Sequence, residues 1–244
     1  MASLLVHERV ALVTGASRGI GAGLVEDFKR RGMRVAGCAR TVPEGCDLAA
    51  SVDVADEDAL GTFVQQVSEQ LGPIDLFVHN AGVLAPIAPT RTIPSQEFRN
   101  HLDINLMGTF HAAKHYARHV RGRSGQGVLI TISSGAALKG YAGWAAYCAG
   151  KAGLDRITET IQLEEADAGL RAYAVAPGVV DTDMQALIRS TDESLFPMRQ
   201  KFLDMKEQEA FNTIPFVAEH LLRIAFDPNA RPTQVVVRLP AEAD

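Results

Sequence analysis

Val10-Ala11-Leu12-Val13-Thr14-Gly15-Ala16-Ser17-Arg18-Gly19-Ile20-Gly21-Ala22 runs from a short apolar segment directly into a glycine-rich turn and then a helical pattern. Glycines at 15, 19 and 21 permit a tight turn and let backbone approach a pyrophosphate closely, with the N-terminus of the following helix supplying positive potential. Ser17, Arg18 and Ile20 complete that turn. The spacing is Gly-x-x-x-Gly-x-Gly, not the commoner dinucleotide fingerprint, and a glycine cluster alone also suits a plain strand-to-helix turn. Its place after the first strand favours a nucleotide.

Outward from this stretch, short apolar runs at 10–13, 34–38, 76–79, 128–132, 172–176 and 235–239 alternate with amphipathic stretches of helical period. Strands apolar at nearly every position, separated by helices, imply a parallel sheet covered on both faces. The expectation is an α/β fold, one doubly wound Rossmann-like domain over 1–244, with about seven strands, a mainly parallel sheet and ligands at the carboxyl ends of the strands. The charged, Met-containing segment 183–211 reads as a helical cover over the site. A length of 244 residues, 47% of them hydrophobic and 22% charged, suits one globular domain. A net charge of −5 leaves no footprint for nucleic acid, and no apolar run is long enough for a membrane span. Met1 to Val13 lacks the features of an export signal. Cys38, Cys46 and Cys148 lack metal spacing and cannot all pair, which suits the reducing cytoplasm.

Chemistry concentrates around Tyr147-Cys148-Ala149-Gly150-Lys151, which follows Ser134 by thirteen residues. On a helix, positions four apart share a face, so the phenol and the ammonium project together, and a cation beside a phenol lowers its pKa. Ser134, ending a strand in Ile-Thr-Ile-Ser-Ser, brings a hydroxyl to the same point. The three make an acid/base group, its activator and a donor to a carbonyl oxygen. Ser133 is the rival for the serine role. The second strand ends Cys38-Ala39-Arg40, without the acid that grips a ribose 2′-hydroxyl; Arg40 and Arg18 instead suit a 2′-phosphate, favouring NADPH, the alternative being two solvated arginines. Asp53-Val54 is placed for an adenine edge. Asn80-Ala81-Gly82 closes a strand with residues small enough to lie against a cofactor. Asn105 falls within a helix, where an amide is a mediocre former. Pro177-Gly178, Val180, Thr182 and Met184 end a strand with groups suited to a nicotinamide amide, or form a plain turn and N-cap. Trp144, Met184, Leu187 and Phe196 are candidate apolar wall residues. His111, His115 and His119 share one helix face, but the outer two lie about 12 Å apart at 1.5 Å rise per residue, too far for one ion; a packing or subunit-interface face is expected, and no metal.

With these motifs in order over essentially the whole length, the chain resembles the short-chain dehydrogenase/reductase family. The resemblance implies that Tyr147 is the general acid, that Lys151 lowers its pKa and binds the nicotinamide ribose, that Ser134 rather than Ser133 holds the carbonyl oxygen, and that Asn105 anchors a proton-relay water. It also implies pairing of helices between subunits, as a homodimer or homotetramer. Gly143 to Ala152, Ala176 to Gln185 and the helical insert resemble more closely the sepiapterin reductase and benzil reductase branch. Sepiapterin reductases carry a C-terminal aspartate for the pterin; here Val236, Val237 and Arg238 occupy that region, with Glu242 and Asp244 beyond Pro240 on a tail. An apolar or aromatic 1,2-diketone therefore fits better than a pterin, with Ser134, Trp144, Tyr147, Gly178 and Met184 as substrate contacts. The resulting expectation is an NADPH-dependent carbonyl reductase acting on a small-molecule ketone. The alternatives are a secondary-alcohol dehydrogenase running in reverse and a non-catalytic NADPH-binding regulator.

Overall fold

The computed structural model describes residues 6–242; the start of the chain and Asp244, both used in the sequence reading, lie outside them. Seven strands, β1 (Val10–Thr14), β2 (Arg34–Ala39), β3 (Leu48–Ser51), β4 (Ile74–His79), β5 (Gly127–Ile132), β6 (Leu170–Ala176) and β7 (Val236–Arg238), form one sheet in the order β3-β2-β1-β4-β5-β6-β7. Every pairing is parallel. The strand without a clear apolar signature is β3, an edge strand with no fully buried residue. Edge strands β3 and β7 are also the shortest, because only one neighbour holds them.

Alternation along β1 shows how the sheet is covered. Val10 and Leu12 face one apolar cluster with Leu60, Phe63 and Tyr116, while Ala11 and Val13 face another with Leu24, Phe28 and Leu221. The first layer comes chiefly from α2 (Glu57–Leu71), the later helix α4 (Gly108–Arg121) and α5 (Ala145–Glu165); the second comes from α1 (Gly19–Arg30) and α8 (Ile214–Phe226). Between α2 and α4 lies α3 (Ser95–Leu102), and α6 (Asp183–Ser190) and α7 (Arg199–Glu207) form the insert. The helix α1 begins at Gly19, so Gly19 and Gly21 of the glycine-rich turn themselves enter its first turn.

The histidine face of α4 is turned inward. His111 sits 3.0 Å from the Val54 carbonyl, His115 crowds Gly61, and His119 Nε2 accepts the Ile74 N–H at 3.0 Å while stacking on Tyr116. These are packing contacts within the chain. At the carboxyl ends of β1 and β4, the Thr14 hydroxyl accepts N–H bonds from Asn80 (3.2 Å) and Ala81 (3.1 Å), so its own proton goes to His79 Nδ1 at 3.1 Å. His79 is thereby held as the neutral Nε2–H form.

Burial lowers the pKa of His79 to about 3 and that of His119 to about 4. Below pH 6.5 the unfolded chain takes protons that the folded chain refuses, so stability falls as pH is lowered toward those values. His79 alone sets a slope of about 1.4 kcal/mol per pH unit. The urea midpoint is expected to fall from pH 6.5 to pH 5, where exposed carboxylates still stay ionised; a flat or rising midpoint contradicts the neutral burial of these rings.

Candidate active site

A cleft of about 820 Å³ opens at the carboxyl ends of the strands, on both sides of the point where the strand order reverses between β1 and β4. Its floor is the glycine turn. Gly15 has φ +65°, and a Cβ there would lie 2.8 Å from Ala81 Cα; a Cβ on Gly21 would lie 2.2 Å from the Gly15 carbonyl. No side chain caps α1 and no acid occupies its first turn, so its leading N–H groups remain available to an anion. Asn80 Nδ2 donates to the Thr14 and Gly15 carbonyls, which makes Asn80 a brace for the turn.

Most of the expected cofactor positions line this one cleft: Gly15 and Ser17 to Ile20, Ala39 and Arg40, Asp53 and Val54, Asn80 to Gly82, Thr182 and Met184. Leu187 joins them. Arg40 is exposed at the rim, and Arg18 Nη1 lies 3.8 Å from Asp183 Oδ2 at the start of α6, so the glycine turn and the insert meet across the opening. No carboxylate replaces Ala39. The lining thus fits a dinucleotide: uncapped helix, glycine approach, the Arg40 guanidinium after β2 and the Arg18 guanidinium turned toward the insert.

Ser134, Tyr147 and Lys151 do not line this cleft; they lie behind its Gly82 and Leu84 wall. A Cβ on Gly82 would lie 3.7 Å from Lys151 Nζ, and the cleft-lining Leu84 packs in the same apolar cluster as Tyr147. Ser134 follows β5 and lies beside Tyr147 on α5, near enough to draw the phenol pKa down, while its Oγ accepts the Ala136 N–H at 3.2 Å. Ser133 points the other way, donating to buried Asp155 at 2.5 Å, and the two serines are thereby separated in geometry. Lys151 Nζ donates to the Ile132 carbonyl at 2.6 Å and stands 5.8 Å from the Tyr147 ring centre. Burial pulls the Lys151 pKa to about 8, against the raising influence of Asp155 one turn on. The expected lowering of the Tyr147 pKa is not found in the folded chain. Burial pushes it up, outweighing the lowering influence of nearby Ser134, because desolvation disfavours the phenolate.

Asn105, expected within an α-helix, lies in a five-residue π turn (Asp103–Met107) joining α3 to α4. The Asn105 Oδ1 accepts the Val83 N–H at 3.0 Å, and Nδ2 donates to the Val83 carbonyl at 2.9 Å and to His101 Nε2 at 2.7 Å. The side chain is therefore committed to the loop after β4. His101, whose Nδ1 donates to the Ala85 carbonyl at 2.8 Å, stands edge-on to Tyr147. His101, Thr14, His79 and Asp155 escaped the sequence reading; polar residues inside apolar or helical runs were the available signal.

Pro177 and Val180 do not present side chains to the cleft. Pro177 is buried, its carbonyl accepting from Asn212 Nδ2 at 2.8 Å, and Val180 packs into the core beside α8. Gly178 is exposed, with φ +79°, and a Cβ there would meet Asn212 Nδ2. Asn212 also binds the Pro240 carbonyl and the Glu242 N–H, and Glu242 in turn accepts from Thr213, the N-cap of α8. The tail after β7 therefore locks the loop after β6. Trp144 is buried, stacked 4.5 Å from fully buried Phe196, so both form the floor of the insert and not an open wall.

Comparison with known proteins agrees with this geometry. The family model for the short chain dehydrogenase matches residues 9–193. The benzil reductase ((S)-benzoin forming) of Bacillus subtilis (strain 168) is 30% identical over 222 residues, 87% of this chain and 91% of that protein. The cis-4-hydroxycyclohexanecarboxylate dehydrogenase of Sinomonas cyclohexanicum is 32% identical over 86% of this chain and 89% of its own length. Among solved structures, the KRED1-Pglu enzyme superposes with a TM-score of 0.84 at 28% identity, covering 95% of this chain and all of that one. The protein belongs to the short chain dehydrogenase family and is an oxidoreductase acting on CH–OH/C=O groups with a nicotinamide cofactor.

Proposed function

We propose that the protein is an NADPH-dependent carbonyl reductase for ketones and 1,2-diketones, with Tyr147 as general acid. The observation that carries this reading is the convergence of Ser134, Tyr147 and Lys151 directly behind Gly82 and Leu84, which line the dinucleotide-shaped cleft. Ser134 and Tyr147 donate to the substrate oxygen, and desolvation keeps Tyr147 protonated, the form a general acid needs. The nicotinamide, when bound, supplies the hydride to the carbonyl carbon. Tyr147 gives its proton to the oxygen, and Lys151, with a pKa near 8, returns charge balance to the phenolate. The Asn105 side chain is fully used and its main-chain carbonyl already accepts from the Thr109 hydroxyl at 2.7 Å, so a relay water anchored at Asn105 takes the remaining lone pair of that carbonyl.

In this reading the glycine turn and the N-terminus of α1 hold the pyrophosphate, and Arg40 with Arg18 hold the 2′-phosphate. Asp53 and Val54 take the adenine edge, Asn80 to Gly82 face the ribose, and the backbone of Pro177 to Val180 with Thr182 and Met184 orients the carboxamide. Met184 and Leu187, half-buried and exposed on α6, supply the apolar substrate side. Similarity to benzil reductases supports a diketone. Similarity to the cyclohexanecarboxylate dehydrogenase supports the reverse reaction by the same residues. Exposed Phe110 on α4 and Leu163 on α5 support a homodimer or homotetramer through those helices, and three free cysteines suit the cytoplasm.

Loss of NADPH absorbance against benzil, other 1,2-diketones, aromatic ketones and sepiapterin, with NADH in parallel, tests the proposal; silence across the panel with intact NADPH binding favours a non-catalytic role. Tyr147→Phe is expected to lower kcat by roughly 10²- to 10⁴-fold while NADPH affinity holds within about threefold. Near-normal turnover in that variant refutes the assignment. Arg40→Ala is expected to raise KM for NADPH by about tenfold or more and to leave KM for NADH nearly unchanged. Equal effects on both cofactors remove Arg40 from recognition of the 2′-phosphate.

A further inference from the structure

At the opposite edge of the sheet, around the amino ends of the strands, lies a second cavity of about 370 Å³. Arg9 precedes β1, Arg123 precedes β5, Arg171 is the second residue of β6, and Arg231 follows the turn after α8; all four line it, facing Asp75 as the one carboxylate among its described lining residues. Asp75 is already engaged, Oδ2 by the Val10 N–H at 2.9 Å and Oδ1 by Arg9 at 3.5 Å. Three guanidiniums therefore converge without a carboxylate of their own.

Their donors are also incompletely used. Arg171 Nη2 reaches the Ala225 carbonyl at 3.2 Å, but its Nε and Nη1 are inaccessible to bulk solvent and have no hydrogen-bond partner. Arg123 Nη2 serves the Ile74 and Gln126 carbonyls, while its buried Nε also has none. Buried guanidinium donors left without an acceptor are costly, and like charges brought together add to the cost. The local field is felt nearby: burial and Arg231 both push the Arg171 pKa down, and Arg123 adds to the depression of His119.

We propose that this cavity is a binding site for a small polyvalent oxyanion, a phosphate or a polycarboxylate, drawn in by the convergent charge of Arg123, Arg171 and Arg231 on its lining and contacted by their cavity-facing N–H groups. Guanidinium forks match the paired oxygens of such anions, and the volume admits one small molecule and excludes a dinucleotide. Binding staples the starts of β5 and β6 to the end of α8, far from the cleft at the carboxyl ends. The inference is independent of the reductase reading.

Isothermal titration of inorganic phosphate and of citrate into the full chain, in chloride buffer at constant ionic strength, tests it. Saturable binding of at least one of the two anions is expected, and which one binds identifies phosphate or carboxylate chemistry. Arg231→Glu, at an exposed loop position, is expected to weaken that binding at least tenfold, and Arg171→Lys to weaken it while an unchanged unfolding midpoint in chloride certifies the fold. Arg40→Ala, which alters the dinucleotide cleft, is expected to leave it intact. Absence of saturable binding by either anion, or loss in Arg40→Ala with retention in Arg231→Glu, overturns the proposal.

Discussion

The hydroxyl of Thr14 makes three hydrogen bonds at the point where β1 and β4 end together. Everything at the carboxyl edge depends on that junction. The chain leaves β1 toward β2 and β3 on one side, then returns to place β4 on the other, so a crevice forms between the two loops. Thr14 fixes how closely they approach: Ala81 is drawn in until only a glycine fits at position 15. Neutral His79 is the buried acceptor that makes the arrangement possible, and it is why stability is tied to pH.

Behind the Gly82 and Leu84 wall of the cleft lies a second polar cluster built inside apolar surroundings. Lys151 is buried yet retains a strong bond to Ile132, and Asp155, held by Ser133, keeps a carboxylate nearby. Burial acts in opposite directions on the two groups that matter. It lowers the lysine and raises the tyrosine, separating two proton affinities that start close together and leaving Tyr147 in the acid form. The π turn at Asn105 and the His101 bridge lie directly behind these groups, so a local irregularity of the helix serves as the back wall of the site.

The C-terminal part of the chain has a different task. Asn212 and Glu242 tie the tail to the loop after β6 and to the cap of α8, with Gly178 exposed on that loop. The tail acids considered against a pterin are therefore resolved for Glu242, which is consumed in structure and not offered to a ligand.

The alternation of apolar runs with amphipathic stretches, the glycine turn after the first strand, and the Ser134, Tyr147 and Lys151 spacing were all determined by the sequence alone, because strand and helix periods and i, i+4 neighbours are local properties. The missing acid at Ala39 was equally legible. Only the tertiary structure decided which serine faces the tyrosine, since Ser133 and Ser134 project to opposite sides and Asp155 claims the first. It alone decided that Trp144 and Phe196 are floor, that the α4 histidines point inward, and that Asn105 sits in a π turn. It also gathered four arginines from distant segments around one cavity. Burial and convergence are set by packing among residues far apart in the chain, and the pKa of Tyr147 follows burial before it follows any neighbour named by spacing.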